Sequence, residues 1–401
     1  MAKAHVEKVV AMNDNSPRGQ KTIAIVITYI SDIYSESVTK DTYRISGRNI
    51  TSIEVQGKQV VIYLNPQDEK AMTRKMIGFG PGTKTKVTGT QVSVWQIKPI
   101  KTTKGEVISG FYMPKKKLES VSPIVDEFKE FSYRTESGQE LTYHLYEPQK
   151  NKDEKLPLVL FMHDSSVCSK DAVAPLLQGM GGLVWAYPQE QEKRPCYVLV
   201  PQYPNKTAFD DFTVTWECEA TAQLVRELCN TYNIDTTRIY GTGQSMGCMM
   251  LCELNVAHPE LFAASYMVAG QWDPVKMATL KDKKLWILVS EKDEKAFPIM
   301  TESVKLMEEA GAIVARGSLN AKASVQEKER FAQEVLNQNG NIQFTYYEGE
   351  SNLPEGMKVF PGCFHLCTWL WSYDIEPIRE WMFSKKSKEL FWFRLKYGFW
   401  R

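Results

Sequence analysis

The segment RIYGTGQSMGC, residues 238–248, contains three glycines and a serine in a spacing that two different kinds of site could use. Glycines cradle phosphates in nucleotide-binding loops, and they also flank the nucleophilic serine of a strand–turn–helix junction. A dinucleotide loop requires GxGxxG, but Met246 stands where the third glycine would be. Residues 243–247, GQSMG, do fit the pattern GxSxG. We therefore interpret Ser245 as a candidate nucleophile rather than part of a phosphate loop.

The residues on either side of this turn predict a strand before it and a helix after it. Residues 238–242 are typical of a buried strand, and residues 248–257 are compatible with a helix. In such a junction Gly243 and Gly247 let neighbouring backbone pass where a Cβ would clash, and the helix N-terminus favours developing negative charge. Since GxSxG also occurs by chance, the interpretation requires an acid and a base later in the chain.

One of the five histidines stands where the base is expected. The chain order Ser, Asp/Glu, His points to His365 in FPGCFHLCTW, because it follows the last predicted strand and the other four histidines precede the expected acid. Asp293, just after the predicted strand in LWILVSEKDEKAFP, is the first choice for that acid. Glu291 is held in reserve, and Asp273 in GQWDP is a weaker rival.

These residues predict acyl transfer through a covalent acyl-enzyme. Ser245 attacks the carbonyl, His365 accepts the serine proton and passes it to the leaving group, and Asp293 orients the imidazole. The oxyanion is then stabilised by the backbone N–H of Met246 and by a second N–H from the loop FMHDSSV, after the first apolar strand of this part of the chain. No metal or organic cofactor is expected.

The chain from Phe128 onward alternates apolar runs with helical stretches. This pattern predicts the α/β class: a mostly parallel sheet with helices on both faces. The predicted strands are residues 156–163, 196–202, 238–243, 262–270, 284–290 and 342–349, and the clearest helices are residues 216–233 and 298–311.

The preceding part of the chain predicts β structure only. Residues 21–33, 50–65 and 86–100 alternate apolar with polar side chains and are rich in β-branched and aromatic residues. A small antiparallel sandwich accounts for them. The domains are therefore drawn as residues 1–118 for the sandwich, 119–386 for the α/β domain and 387–401 for a C-terminal arm.

Composition excludes several other classes of protein. The net charge is +1 over 401 residues, so no basic field indicates a nucleic-acid partner. No apolar run is long enough to span a bilayer, and no signal-peptide core is visible, which predicts a cytoplasmic protein, or a secreted one if a leader has been removed. The eight cysteines lack the spacing of a zinc framework and are expected to be buried free thiols.

Four ordered motifs, DTTRIYGTGQSMGCMM, HPELFAASYMVAGQWDP, KLWILVSEKDEKAFP and FHLCTWLWSYDIEPIREWMF, carry a family resemblance. With them the chain resembles the α/β-hydrolase esterases related to feruloyl esterases and polyhydroxybutyrate depolymerases. It is more closely similar to bacterial carboxylesterases that carry an N-terminal immunoglobulin-like domain. The resemblance implies the same roles for Ser245, Asp293 and His365, and a sandwich domain that helps to shape the active-site entrance.

The chain departs from that family after the first core strand, where such enzymes usually have His-Gly. Here His163 is followed by Asp164 and Ser165. A carboxylate beside an oxyanion hole would hinder close approach and disfavour a second negative charge. Either the loop turns Asp164 away or activity is reduced; the second oxyanion donor is assigned to Ser165.

Two further segments have no assigned role. Residues 315–341 lengthen the connection between a helix and a strand, with one amphipathic helix expected near residues 325–336, either over the cleft or as a surface decoration. In the arm, the apolar residues 391, 393, 395, 397 and 399 alternate with Trp392, Arg394, Lys396 and Gly398, which is the period of a strand. It is expected to dock on the sandwich domain, and a homo-oligomer through either element, or a membrane-surface contact of the arm, is left open.

The sequence thus predicts a serine carboxylic-ester hydrolase that acts on small acyl or aryl esters. A serine peptidase of the prolyl-oligopeptidase type shares this fold and triad, although residues 1–118 are too few for its propeller. A non-catalytic binding protein with a decayed hydrolase domain is the alternative from another class, and Asp164 is its best support.

Overall fold

The computed structural model describes residues 5–78, 84–149 and 154–388. Its internal contacts divide these residues into two units, which correspond to an all-β part and an α/β part. The predicted arm lies outside the described residues from position 389 onward.

The division between the units falls after Asp126, whereas the sequence interpretation drew it after residue 118. The strand Glu119–Val121 pairs in parallel with the first strand of the chain, so these residues belong with the first unit. The short segment Leu177–Gly179 is also grouped with the first unit.

The described part of the first unit is built from strands of 2 to 11 residues. The strands are β1 Val6–Ser16, β2 Gly19–Tyr29, β3 Tyr43–Ile45, β4 Ile50–Gln56, β5 Gln59–Leu64, β6 Arg74–Ile77, β7 Lys84–Val87, β8 Gln91–Gln96, β9 Ile100–Lys101, β10 Val107–Ile108, β11 Phe111–Lys117 and β12 Glu119–Val121. A five-stranded sheet has the order β12-β1-β2-β5-β4, and a three-stranded sheet has the order β11-β8-β3.

Side chains from both sheets share one apolar core. Ile25 and Ile62 from the larger sheet and Val94 from the smaller one belong to a single buried cluster. A hairpin joins β4 and β5, and its turn residue Gly57 has φ +58°, a conformation that glycine adopts without a Cβ penalty. This unit is therefore an all-β sandwich, as the alternating pattern predicts.

The second unit contains a nine-stranded sheet of order β13-β14-β16-β15-β17-β18-β19-β21-β20. Its strands are β13 Phe128–Arg134, β14 Glu140–Tyr146, β15 Leu156–Met162, β16 Tyr197–Pro201, β17 Ile234–Gln244, β18 Ala264–Val268, β19 Leu285–Ser290, β20 Val314–Leu319 and β21 Ile342–Tyr347. From β16 to β20 the neighbours are parallel, while β13 and β14 add an antiparallel edge. The predicted α/β class with a mostly parallel sheet is confirmed.

Helices lie between successive strands of this sheet and after its last strand along the chain. They are α1 Pro188–Lys193, α2 Trp216–Thr231, α3 Met246–Ala257, α4 Pro274–Ala278, α5 Ala296–Glu309, α6 Val325–Leu336, α7 Cys363–Ser372 and α8 Glu376–Phe383. Every residue of β15, β18 and β19 is buried, which is why their sequences are continuous apolar runs rather than alternating ones. None of the helices in the described residues has the length and apolar character of a membrane span.

The connecting segment 315–341 belongs to the sheet rather than to a separate surface decoration. β20 lies within residues 314–319 and pairs in parallel with β21, and α6 occupies the predicted residues 325–336. The sequence pattern does not predict β20, because VARGSL includes an arginine and a glycine and the strand has a neighbour on one side only. The segment therefore extends the edge of the sheet.

Candidate active site

Ser245 lies in the turn between β17 and α3 in a strained backbone conformation. Its φ and ψ are 53° and −118°, a region that side-chain-bearing residues rarely adopt. Its N–H donates to the Val268 carbonyl at 3.0 Å, and its own carbonyl accepts the Met249 N–H at 3.0 Å. These two hydrogen bonds, to β18 and to α3, keep Ser245 in its strained conformation.

The two flanking glycines are required by close packing of backbone. A Cβ on Gly243 would lie 2.6 Å from the carbonyl of Gly247, and a Cβ on Gly247 would lie 2.0 Å from the carbonyl oxygen of Met162. Real Cβ contacts do not occur at these distances. The glycines of the GxSxG pattern therefore let β15, β17 and α3 meet at the turn, as the sequence interpretation expects.

A continuous line of hydrogen bonds joins the serine to a buried carboxylate. The Ser245 hydroxyl donates to Nε2 of His365 at 2.8 Å, and Nδ1–H of His365 donates to Oδ2 of Asp293 at 2.6 Å. The three residues follow β17, β21 and β19, whose carboxyl ends meet at one edge of the sheet. The structure thus brings together the three residues selected from the sequence, although His365 is 120 positions from Ser245 in the chain.

The environment of Asp293 favours its ionised form. Burial by itself would raise the pKa of Asp293, but the hydrogen bond and charge interaction with His365 and the N–H groups of Ala296 and Lys295 hold it below the ordinary value. The two N–H groups donate to Oδ1 at 3.0 and 3.1 Å, which leaves Oδ2 for the imidazole. A carboxylate in this state fixes the ring with its proton on Nδ1.

The rival acids have other partners. The Glu291 carboxylate accepts the N–H of Gly349 at 2.7 Å, and the Asp273 carboxylate accepts the N–H of Val275 at the start of α4. Two histidines upstream are buried, His144 in β14 and His163 directly after β15, and burial lowers the pKa of each to about 4. Both are therefore neutral near pH 7.

The two candidate oxyanion donors, the backbone N–H groups of Met246 and Ser165, lie in different segments of the chain. Met246 is the first residue of α3, where backbone N–H groups have no acceptor within the helix. Ser165 begins a short 3₁₀ turn, Ser165–Val167, after β15. In that turn the N–H groups of Ser166, Val167 and Cys168 donate to the Asp164 carboxylate, the Asp164 carbonyl and the Ser165 carbonyl. The Ser165 N–H, first of the turn, has no such acceptor there.

Asp164, the unexpected residue of this loop, is bound on both carboxylate oxygens. Oδ1 accepts the Ser166 N–H at 2.8 Å, and Oδ2 accepts Nε2–H of Gln244 at 2.8 Å. Both side chains are buried. From the sequence, either the loop turns Asp164 away or activity is reduced, and Gln244 has no role, because a variable position within GxSxG carries no signal for a partner.

Two more residues missed by sequence reasoning contact the segment of His365. Trp369, one turn further along α7, packs edge-on against the His365 ring with centroids 5.4 Å apart. The side-chain amide of Asn352 donates to the Phe364 carbonyl at 2.6 Å. A histidine followed by an aromatic residue four positions later on a helix is the pattern that could have indicated the first contact.

The eight cysteines are free, and seven are buried, as their spacing predicts; Cys229 is half-buried. In the ranges that the structure describes, no group of three or more His, Cys, Asp or Glu side chains is arranged to hold a metal ion.

Residues 8–109 match a family model described as the esterase immunoglobulin-like N-terminal domain. The chain is also similar to the crystal structure of a thermostable esterase, with 25% identity and a TM-score of 0.75 over 95% of this chain and 100% of the other. The esterase with an immunoglobulin-like N-terminus, expected from the sequence motifs, is confirmed by these two matches.

Other solved structures are more distant. An acetyl xylan esterase from Aspergillus awamori is 16% identical, with a TM-score of 0.37 over 46% of this chain and 79% of its own. A feruloyl esterase module from Clostridium thermocellum is 11% identical, with a TM-score of 0.40 over 62% of this chain and 86% of its own. Similarity at this level supports no inference about substrate. No curated protein sequence matches the chain significantly.

Proposed function

We propose that this chain, an esterase with an immunoglobulin-like N-terminal domain, hydrolyses carboxylic esters of small acyl or aryl groups through Ser245, His365 and Asp293. The observation that carries the proposal is the line of hydrogen bonds from the Ser245 hydroxyl through His365 to the buried Asp293 carboxylate. A hydroxyl bonded to a neutral imidazole, with a carboxylate on the other ring nitrogen, is the arrangement that activates serine for attack on a carbonyl.

Acylation follows from this geometry. Oγ of Ser245 forms a bond to the ester carbonyl carbon while Nε2 of His365 accepts the hydroxyl proton, and the carbonyl oxygen becomes an oxyanion. The bond between the carbonyl carbon and the alkoxy oxygen then breaks, and His365 donates its proton to the departing alcohol. Throughout, ionised Asp293 stabilises the imidazolium.

Deacylation repeats these steps with water in place of the serine. His365 takes a proton from the water, the hydroxide oxygen bonds to the acyl carbon, and the bond to Oγ of Ser245 breaks with return of the proton to the serine. The carboxylic acid leaves and the free enzyme is restored.

The oxyanion in both steps is assigned to the N–H groups of Met246 and Ser165. Support comes from the position of Met246 at the N-terminus of α3 and from the other N–H groups of the Ser165 turn, which already have acceptors. Donors that are fixed before the reaction stabilise the charge that develops in the transition state.

Asp164 no longer supports a decayed hydrolase domain. Its carboxylate is bound by Ser166 and Gln244, so the residue that replaces the usual glycine has its own partners.

The proposed class of small acyl or aryl esters rests on the motif resemblance of the chain.

The experiment that tests the proposal is labelling with a fluorophosphonate probe together with turnover of p-nitrophenyl acetate and butyrate. Wild-type protein is expected to label and to turn over, and Ser245→Ala is expected to lose both while keeping its thermal unfolding temperature. A folded wild-type protein that neither labels nor turns over would contradict the proposal. Turnover of peptide p-nitroanilides in preference to the esters would favour a peptidase.

A further inference from the structure

Asp164 and Gln244 form a buried side-chain pair between the two segments that carry the candidate oxyanion donors. Asp164 immediately precedes Ser165, and Gln244 is two positions before Met246. We propose that this pair is a positioning device, in which the Asp164–Gln244 hydrogen bond sets the spacing of the two donor N–H groups. The inference rests on the proposed ester hydrolysis at Ser245.

The loop after β15 depends on Asp164 for its shape. One carboxylate oxygen accepts the Ser166 N–H at 2.8 Å, which caps the 3₁₀ turn, and the Asp164 carbonyl accepts the Val167 N–H and Nδ1–H of His163, the latter at 2.7 Å. On its other side the His163 ring accepts the Tyr203 N–H through Nε2 at 3.0 Å. The direction of the Ser165 N–H is therefore determined by the position of Asp164.

Gln244 ties that loop to the serine turn. It is the last residue of β17, and its side-chain amide reaches the second carboxylate oxygen of Asp164 at 2.8 Å. β15 and β17 pair with each other only as far as Met162 and Gly243. Their pairing therefore ends before Ser165 and Met246, which carry the two donor N–H groups. The side-chain bond continues the connection beyond the end of the paired strands.

The hydrogen bonds of this pair also explain how the Asp164 carboxylate is accommodated beside the candidate oxyanion donors. Hydrogen bonds to both oxygens of Asp164 spread its charge over the Ser166 N–H and the Gln244 amide, and they hold the side chain between the two turns. A glycine at this position would have no such link. With Asp164 in place of the usual glycine, the backbone at this position has less conformational freedom, and the side chain makes a fixed contact with Gln244.

Breaking the pair should lower kcat with little effect on KM. Gln244→Leu keeps the approximate size of the side chain and removes its N–H donor. Because oxyanion stabilisation operates in the transition state, we expect kcat and kcat/KM to fall together by about tenfold or more. This is less than the roughly 10²–10³ expected when a donor itself is removed. The rate of fluorophosphonate labelling of Ser245 should fall in parallel.

The diagnostic variant exchanges the carboxylate and the amide between positions 164 and 244. Gln244→Glu alone places two carboxylates together and should lower kcat at least as much as Gln244→Leu. The double variant Asp164→Asn/Gln244→Glu restores a hydrogen bond, because the Asn amide N–H now donates to the Glu carboxylate while the Asn carbonyl accepts the Ser166 N–H. Recovery of kcat in the double variant to within about threefold of wild type is expected.

Gln343→Leu is the matched control for folding. Gln343 is as buried as Gln244, and its amide donates to the Gly340 carbonyl just before β21, away from the serine turn. This variant should lower the thermal unfolding temperature and keep kcat and labelling of the folded protein. If wild type is active but Gln244→Leu and Gln244→Glu keep kcat within twofold, or the double variant fails to recover it while folded, the inference fails and the proposed function stands. If wild type is inactive and unlabelled, both fail.

Discussion

A Cβ placed on Gly247 would lie 2.0 Å from the carbonyl oxygen of Met162, so the first turn of α3 rests directly on the end of β15. This contact brings the candidate nucleophile beside the loop that follows β15. It also means that the second glycine of the GxSxG pattern is a packing requirement, independent of any role in binding.

Gly247→Ala should therefore disturb both folding and activity. The added methyl group meets backbone on β15 that cannot move without disrupting the central sheet, and we expect a loss of roughly 3 kcal/mol or more of unfolding free energy. Gly138→Ala is the control, since Gly138 has φ +85° and an added methyl group would meet no atom within 4 Å, so its cost is about 1–2 kcal/mol from backbone strain alone. Urea unfolding of the two variants makes the comparison, and equal losses would contradict the packing argument.

Asp293→Asn should retain the fold and lose most of the turnover. The amide cannot stabilise the imidazolium and favours the wrong ring tautomer, so kcat should fall by on the order of 10⁴. Glu291→Gln is the matched control, because the Glu291 carboxylate bonds the Gly349 N–H and not the imidazole. Steady-state kinetics with p-nitrophenyl acetate decides between the two acids; a large loss in Glu291→Gln alone would reverse the assignment.

Ser165→Pro should remove one oxyanion donor without unfolding the loop. Proline is tolerated at the first position of a helical turn, and Asp164 before it has φ −75° and ψ 168°, a conformation that suits a residue preceding proline. We expect kcat to fall about 10²–10³-fold with little change in KM. Ser165→Ala keeps the N–H and should keep kcat, and wild-type kinetics in Ser165→Pro would show that the donor lies elsewhere.

His144 should make the protein less stable as the pH falls from 6.5 to 4. Burial lowers the pKa of His144 from 6.5 to about 4, so in this interval the unfolded chain binds the proton and the native state does not. Between pH 7.5 and 5 this difference costs the wild type about 2 kcal/mol of unfolding free energy.

The variant that isolates this effect is His144→Phe, which retains a ring in β14 and cannot be protonated. Its unfolding free energy should decline with falling pH by about 2 kcal/mol less than that of wild type. Urea denaturation at pH 7.5 and 5 measures both slopes. His163, whose pKa is also about 4, remains in both proteins and contributes equally to both slopes. The same pH dependence in the two proteins would therefore contradict a contribution from His144.

The periodicity of the sequence was sufficient for the two fold classes and for the central strands. Continuous apolar runs such as residues 156–162 and 285–290 are buried on both faces of the sheet, so little besides a parallel strand suits them. The edge strand β20 was missed because one neighbour and one exposed face impose little pattern on its residues. The sequence pattern also does not determine where the first domain ends, since Glu119–Val121 joins β1 through a pairing that only the folded chain makes.

For the candidate site, the sequence alone was enough to select Ser245, Asp293 and His365 and their order, because glycine spacing and chain order leave few alternatives. Only the tertiary structure decided that Asp164 binds Gln244, since these residues are 80 positions apart and lie in different segments. A local pattern records what one segment needs for its own conformation. The contact between two segments depends on how β15 and β17 lie side by side, and no short stretch of sequence contains that information.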